Sequence, residues 1–132
     1  GYKAASGDVG QVSEVVEKTR DEEFTVLSGD DPLTLPIASV GGQGVISVAA
    51  NVVPEQVCAM VDAALDEEYA SARERHHELG PLFRGLFVET NPIPVKAAIE
   101  IQGVREATMR PPLTDLSSEH RAELEGILAD LE

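Results

Sequence analysis

The sequence predicts an α/β fold in which parallel strands alternate with helices and then give way to an all-helical tail. Three observations carry this reading. Short β-prone runs (GYK, FTVL and GVISVA) are each followed by a loop of small or polar residues and then a stretch of helical periodicity. The third run is rich in β-branched residues with little polar alternation, as in a strand buried on both faces. Beyond Asp66 the β signal disappears.

Taken in order, the first strand ends at Gly1–Lys3, and a helix over Val9 to about Thr19 carries Val12, Val15 and Val16 on one side. Asp8 introduces that helix, with Gln11 placed to complete a capping box. A second strand over Phe24–Leu27 runs into SGDD and a helix over Pro32–Val40, with Leu33, Ile37 and Val40 inward. Asp31 before Pro32 suits a helix start, because Asp accepts from free amides and Pro has no amide to leave unsatisfied. Gly41-Gly42 stops the helix. The third strand spans Gly44–Ala49, and Pro54 opens a helix to about Leu65 with Val57, Met60, Val61 and Leu65 on its inner side. Further helices are expected over Tyr69–Leu79, Pro81–Phe87, Pro94–Ile101 and Ser118–Leu131, the last with Leu124, Ile127, Leu128 and Leu131 aligned. The prolines of NPIP and MRPPLT make stiff connections. Parallel strand-helix units with right-handed crossovers build either an open sheet or a barrel. A complete eight-stranded barrel takes about 250 residues. This chain has 132 and begins at the end of a strand.

Twenty-four Asp and Glu against ten Lys and Arg give a net charge of −14, which repels nucleic acid and anionic membranes. The acids are scattered, as on a solvated surface suited to a high-salt cytoplasm where screening removes much of the self-repulsion. Cys58 is alone and faces the apolar side of its helix, like an inert packed thiol; no secretory leader is visible, which points to a reducing cytoplasm. VISVAANVV is far shorter than the roughly 20 residues that span a bilayer.

Functional loops of a parallel α/β fold follow the carboxyl ends of its strands, here KAASGD, SGDD and SVAAN. Lys3 is one of three lysines. It is either a solvated lysine or a Schiff-base nucleophile, the latter requiring an amine kept partly neutral by small and apolar surroundings. Asp30 and Asp31 suggest a metal pair, and GDD also occurs on hairpins of template-directed polymerases; helix capping before Pro32 is the better reading. GGQG leads into a strand, whereas phosphate-cradling glycine loops lead into helices. His76 and His77 lack metalloprotease spacing and belong to a solvated helix face.

GYKAASGD, FTVLSGDD, GGQGVISVAANVVP and LFVETNPIPVK, in this order and spacing, closely resemble the C-terminal part of the dihydrodipicolinate synthase family, within the class I pyruvate-dependent aldolases. The resemblance covers essentially the whole chain. It implies the C-terminal part of a (β/α)8 barrel, about strands 6 to 8, over residues 1–66, and a helical C-terminal extension over residues 67–132. It also implies that Lys3 is the imine-forming residue, and that the backbones of Gly29 and Ile46 line the pyruvate site. Glycine at position 29 would permit close approach of a ligand, while Ile46 reads equally as a buried strand residue. In such enzymes the pyruvate imine becomes an enamine that adds to aspartate 4-semialdehyde, with no organic cofactor or metal. The expected partners are these two substrates and either further copies, a tetramer being the family's form, or a complementary N-terminal half. The family's proton-relay tyrosine, its threonine partner, the carboxylate-holding groups and the substrate arginine precede GYK and have no counterpart here. Tyr2 should face away from Lys3. Two other readings stand beside this one: an aldolase acting on 2-keto-3-deoxy sugar acids, and a non-catalytic assembly module.

Overall fold

The computed structural model describes residues 1–131. Strand β1 (Tyr2–Ala4) leads to helix α1 (Val9–Thr19), which returns to strand β2 (Val26–Ser28). A 3-10 turn at Asp31–Leu33 runs into α2 (Thr34–Ser39), and a second at Ala49–Asn51 precedes α3 (Pro54–Leu65). Helices α4 (Tyr69–Gly85), α5 (Ile93–Ile101) and α6 (Ser118–Ala129) complete the chain. β1 and β2 are parallel, with Lys3 opposite Leu27 and Ala4 opposite Ser28.

Asp8 caps α1 as expected, its carboxylate accepting the Gln11 amide at 3.1 Å. Val12 is buried beneath the strands with Ala4, Val26 and Ile37, and Tyr2, Val15, Val16 and Leu33 pack around them. Only Ile37 of the inward trio on α2 is fully buried; Leu33 and Val40 are half-buried. At Gly42 a methyl group would lie 2.4 Å from Ile37 Cγ2, so the chain leaves α2 through a gap that only glycine fits.

The expected third strand over Gly44–Ala49 is cut short. Its backbone runs parallel to β2, with Gln43 N donating to Val26 O, Ser28 N to Gly44 O and Ile46 N to Ser28 O, each at 2.8 Å. Only Val45 forms a β-bridge, and Ile46 is 49% exposed rather than buried on both faces. This segment pairs on one side, with β2, and the amides of Val48 and Ala49 are taken by the Asp31 carboxylate, so the ladder cannot extend through them.

The helical region differs from expectation at Pro81. In place of two helices, α4 is continuous with Pro81 inside it. Proline in a helix interior costs about 3 kcal/mol. Burying a large aliphatic or aromatic side chain contributes about 1.5–3 kcal/mol, and Leu79, Leu82, Phe83 and Leu86 are all within 2% of full burial around that turn. Packing therefore outweighs the missing hydrogen bond, and Pro81 itself is exposed. Leu65 is 47% exposed and Cys58 is exposed, contrary to their expected packing. The buried side of α3 is set by Val57, Met60, Ala63 and Ala64, and positions 58 and 65 each lie one residue, about 100°, off it. The main core joins α3 to α4, α5 and α6, with Leu124 and Leu128 closing it. Among the described residues no helix is long and apolar enough to cross a membrane.

Candidate active site

Alternation along β1 divides its side chains between two environments. Tyr2 and Ala4 point into the small core under α1, while Lys3 lies on the opposite face and is exposed in this chain. The apolar enclosure expected around Lys3 is thus absent on the described residues. Where β2 ends, Gly29 donates its amide to Ala4 O at 2.7 Å, locking the ends of the two strands together. A methyl group at Gly29 would lie 2.7 Å from Lys3 Cε, 3.0 Å from Lys3 Cγ and 2.9 Å from Ala4 O. What approaches Gly29 so closely here is the lysine itself. The Lys3 stem crosses Gly29, and any side chain there would push the amine aside. Ile46 comes next along the same edge, joined through its amide to Ser28 O. Three separate strand ends thus bring Lys3, Gly29 and Ile46 side by side.

An open depression of about 560 Å³ adjoins Gly29. Ala5, Gly29, Asp30 and Pro32 form one wall, and Phe83 and Arg84 at the end of α4, with Phe87 in the turn after it, form the other. A groove of about 600 Å³ lies elsewhere, between the start of α3 and the ends of α5 and α6. Gly29, over which the Lys3 stem lies, lines the smaller depression and not this groove.

The adjacent carboxylates Asp30 and Asp31 part company. Asp30 faces the depression, and its carboxyl sits above the usual range, mainly through burial and secondarily through the Asp31 charge. Asp31 is 2% exposed and does not cap α2. Its carboxylate instead accepts from the Ser47 hydroxyl and from the amides of Val48 and Ala49. Sequence reasoning missed this role because Asp before Pro is an ordinary helix start. The partner, Ser47, lies 16 residues away and carries no local signal.

Residues 1–131 match the family model described as the dihydrodipicolinate synthetase family. The chain belongs to that family. It is 62% identical over 131 residues to the 4-hydroxy-tetrahydrodipicolinate synthase of Haloarcula marismortui, covering 99% of this chain and 43% of the relative. The crystal structure of dihydrodipicolinate synthase from Aquifex aeolicus superposes with a TM-score of 0.94 at 45% identity, over 98% of this chain and 44% of that one. The chloride-inhibited dihydrodipicolinate synthase from Acinetobacter baumannii, in complex with pyruvate, superposes with a TM-score of 0.90 at 32% identity, over 97% and 44%. This chain therefore spans less than half the length of the relatives it matches. Its fold is a helix-rich part of the (β/α)8 barrel of this family. The relatives bear the synthase name, which does not favour the sugar-acid aldolase reading.

Proposed function

We propose that this chain is the C-terminal part of a lyase that condenses pyruvate with aspartate 4-semialdehyde in lysine biosynthesis, and that Lys3 forms the imine. The observation that carries the reading is the placement of Lys3 at the strand ends, its stem laid over Gly29 on the face of β1 opposite the small core. The pyruvate complex of the Acinetobacter relative supports the first substrate. Lys3 attacks the keto carbon, water leaves, and a methyl proton is lost to give the enamine that adds to the aldehyde. Gly29 and Ile46 offer backbone at the rim of that site. Residues 1–66 serve as the barrel portion and 67–132 as its extension, whose α4 supplies the far wall of the depression. The whole protein works in the cytoplasm as a homo-oligomer, and its acidic surface suits high salt. Taken alone, the 132-residue chain is expected to trap pyruvate weakly or not at all, because orientation of the keto acid needs groups outside it.

Borohydride reduction of the longer protein in the presence of pyruvate tests this. Peptide mass spectrometry should find the adduct on the peptide containing Lys3, with Lys18 and Lys96 unlabelled. Lys3→Arg should abolish it, since guanidinium stays protonated. Labelling at Lys18 or Lys96 instead would remove the assignment.

A further inference from the structure

Each of the two strand-end loops beside Lys3 contains a residue whose backbone lines the proposed keto-acid site, and a single carboxylate ties them together. Asp31 lies two residues past Gly29, and its three donors lie one to three residues past Ile46. The Ser47 hydroxyl donates to Oδ1, while Val48 N and Ala49 N donate to Oδ2 at 2.9 and 3.1 Å. Ser47 Oγ in turn accepts the Ala50 amide at 2.8 Å, which carries the clasp into the 3-10 turn. On the other side, Ser28 Oγ donates to Asp30 O at 2.7 Å and accepts Asp30 N at 3.2 Å, and Gly29 N reaches Ala4 O at 2.7 Å. Asp31 makes the only side-chain hydrogen bonds between the two loops among the described residues. Without it they would be held by the short β2 pairing that ends at Ile46 N to Ser28 O.

We propose that Asp31 is a positioning residue of the keto-acid site: it sets the backbone of Ile46 and the following turn in register with Gly29 and Lys3. The proposal rests on the reading of Lys3 as the imine-forming residue. Asp31 is buried and makes its contacts behind the rim, so it acts through the loop rather than on the reacting atoms. A carboxylate suits the position for a physical reason. All three partners donate to it, and an acceptor-only group meets every one of them; a carboxamide could keep both amides only by turning its NH2 to Ser47 Oγ, which leaves the serine hydrogen without this acceptor and removes the negative charge from all three bonds. Charge-assisted hydrogen bonds of this kind are roughly twice as strong as neutral ones. A displacement of about 1 Å in a positioned group can lower a reaction rate by about a hundredfold. A displaced Ile46 carries the rim with it and weakens the hold on pyruvate, whereas the amine that attacks is on β1 and keeps its place.

The test measures borohydride trapping at Lys3 in the longer protein against pyruvate concentration, for the unsubstituted protein, Asp31→Asn and Ser47→Ala. Asp31→Asn should raise half-saturating pyruvate by about tenfold or more, with the trapping rate at saturation within about threefold. Ser47→Ala, which leaves both amide bonds, should raise it by about two- to threefold. A merely structural residue would lower the amount of reactive protein without moving half-saturation, so unchanged half-saturation in folded Asp31→Asn overturns the proposal. Should Asp31→Asn not fold, unchanged half-saturation in Ser47→Ala overturns it instead. No adduct at Lys3 in the unsubstituted protein overturns the Lys3 reading. The clasp is then judged by amide hydrogen exchange in the longer protein: unaccelerated exchange at Val48 and Ala49 in Asp31→Ala, or in Asp31→Asn if the former does not fold, overturns the Asp31 proposal.

Discussion

The region of strand ends and the region of helices are stabilised unequally. Around Lys3 the core consists of Ala4, Val12, Val26 and Ile37 beneath two short paired strands and a third segment tied by one bridge. In the helical region Val57, Met60, Leu79, Leu82, Phe83, Leu86, Leu124 and Leu128 form one continuous interior drawn from α3, α4 and α6 and the turn after α4. The residues proposed for chemistry therefore sit on the thinner support, with Lys3 and Ile46 open to solvent. Stability and chemistry have been assigned to different parts of the chain, joined where Ala49, Val52 and Val53 enter the larger core immediately after the site loop.

The largest expected effect tests that inequality. Leu82→Ala, at a site with no exposure, should destabilise the chain by about 3 kcal/mol. Val12→Ala, in the smaller core, should cost about 1–2 kcal/mol. Urea unfolding followed by circular dichroism measures both, and equal losses would break the comparison. Next, Gly29→Ala should reduce pyruvate trapping at Lys3 by about tenfold or more in the longer protein. The added methyl would meet Lys3 Cε at 2.7 Å and the Ala4 carbonyl at 2.9 Å, and neither the helical core nor its melting should change appreciably.

A smaller effect is expected from the clasp between α6 and the loop after α4. His120 Nδ1 lies 2.7 Å from Glu89 Oε1, which also accepts Ser117 N at 3.1 Å. The hydrogen bond to Glu89, opposed by burial and aided by the charges of Glu89, Glu119 and Glu123, holds the imidazole pKa above its ordinary 6.5. A raised folded pKa means that the contribution is complete below 6.5 and is lost as pH rises through the folded value. The melting temperature should therefore fall slightly as pH rises past about 6.5, and this slope should flatten in Glu89→Gln.

The smallest effect belongs to Asp30. Its carboxyl pKa is raised from an ordinary 3.8 by burial and by Asp31, so the fold favours its neutral form and loses stability as pH climbs through that window. Asp30→Asn should raise the melting temperature at neutral pH by under about 3 °C. A drop would mean that the Asp30 charge has a favourable partner in the fold.

Much of this was legible in the residues themselves. The Asp8 cap of α1 and the spans of α1, α3 and α6 depend on neighbours within a turn or two, and the structure places them within a few residues of expectation. The strand-helix spacing placed the loops after GYK, FTVL and GVISVA at one end of the sheet, because parallel strand-helix units return each strand end to the same side; Lys3, Gly29 and Ile46 were singled out within them by the resemblance to the synthase family. Tertiary structure decided the rest. Pro81 stays helical because Leu79, Leu82, Phe83 and Leu86 gain more from a shared interior than the proline loses. GVISVA stops short of a full strand because the amides of Val48 and Ala49 bind the Asp31 carboxylate in place of a neighbouring backbone. Asp31 faces the Ser47 loop rather than its own helix because three donors there satisfy a buried carboxylate. Local sequence specifies what each segment can form from bonds closed within a few residues. Contacts between segments far apart in the chain select which of those options is stable, and only the folded structure shows those contacts.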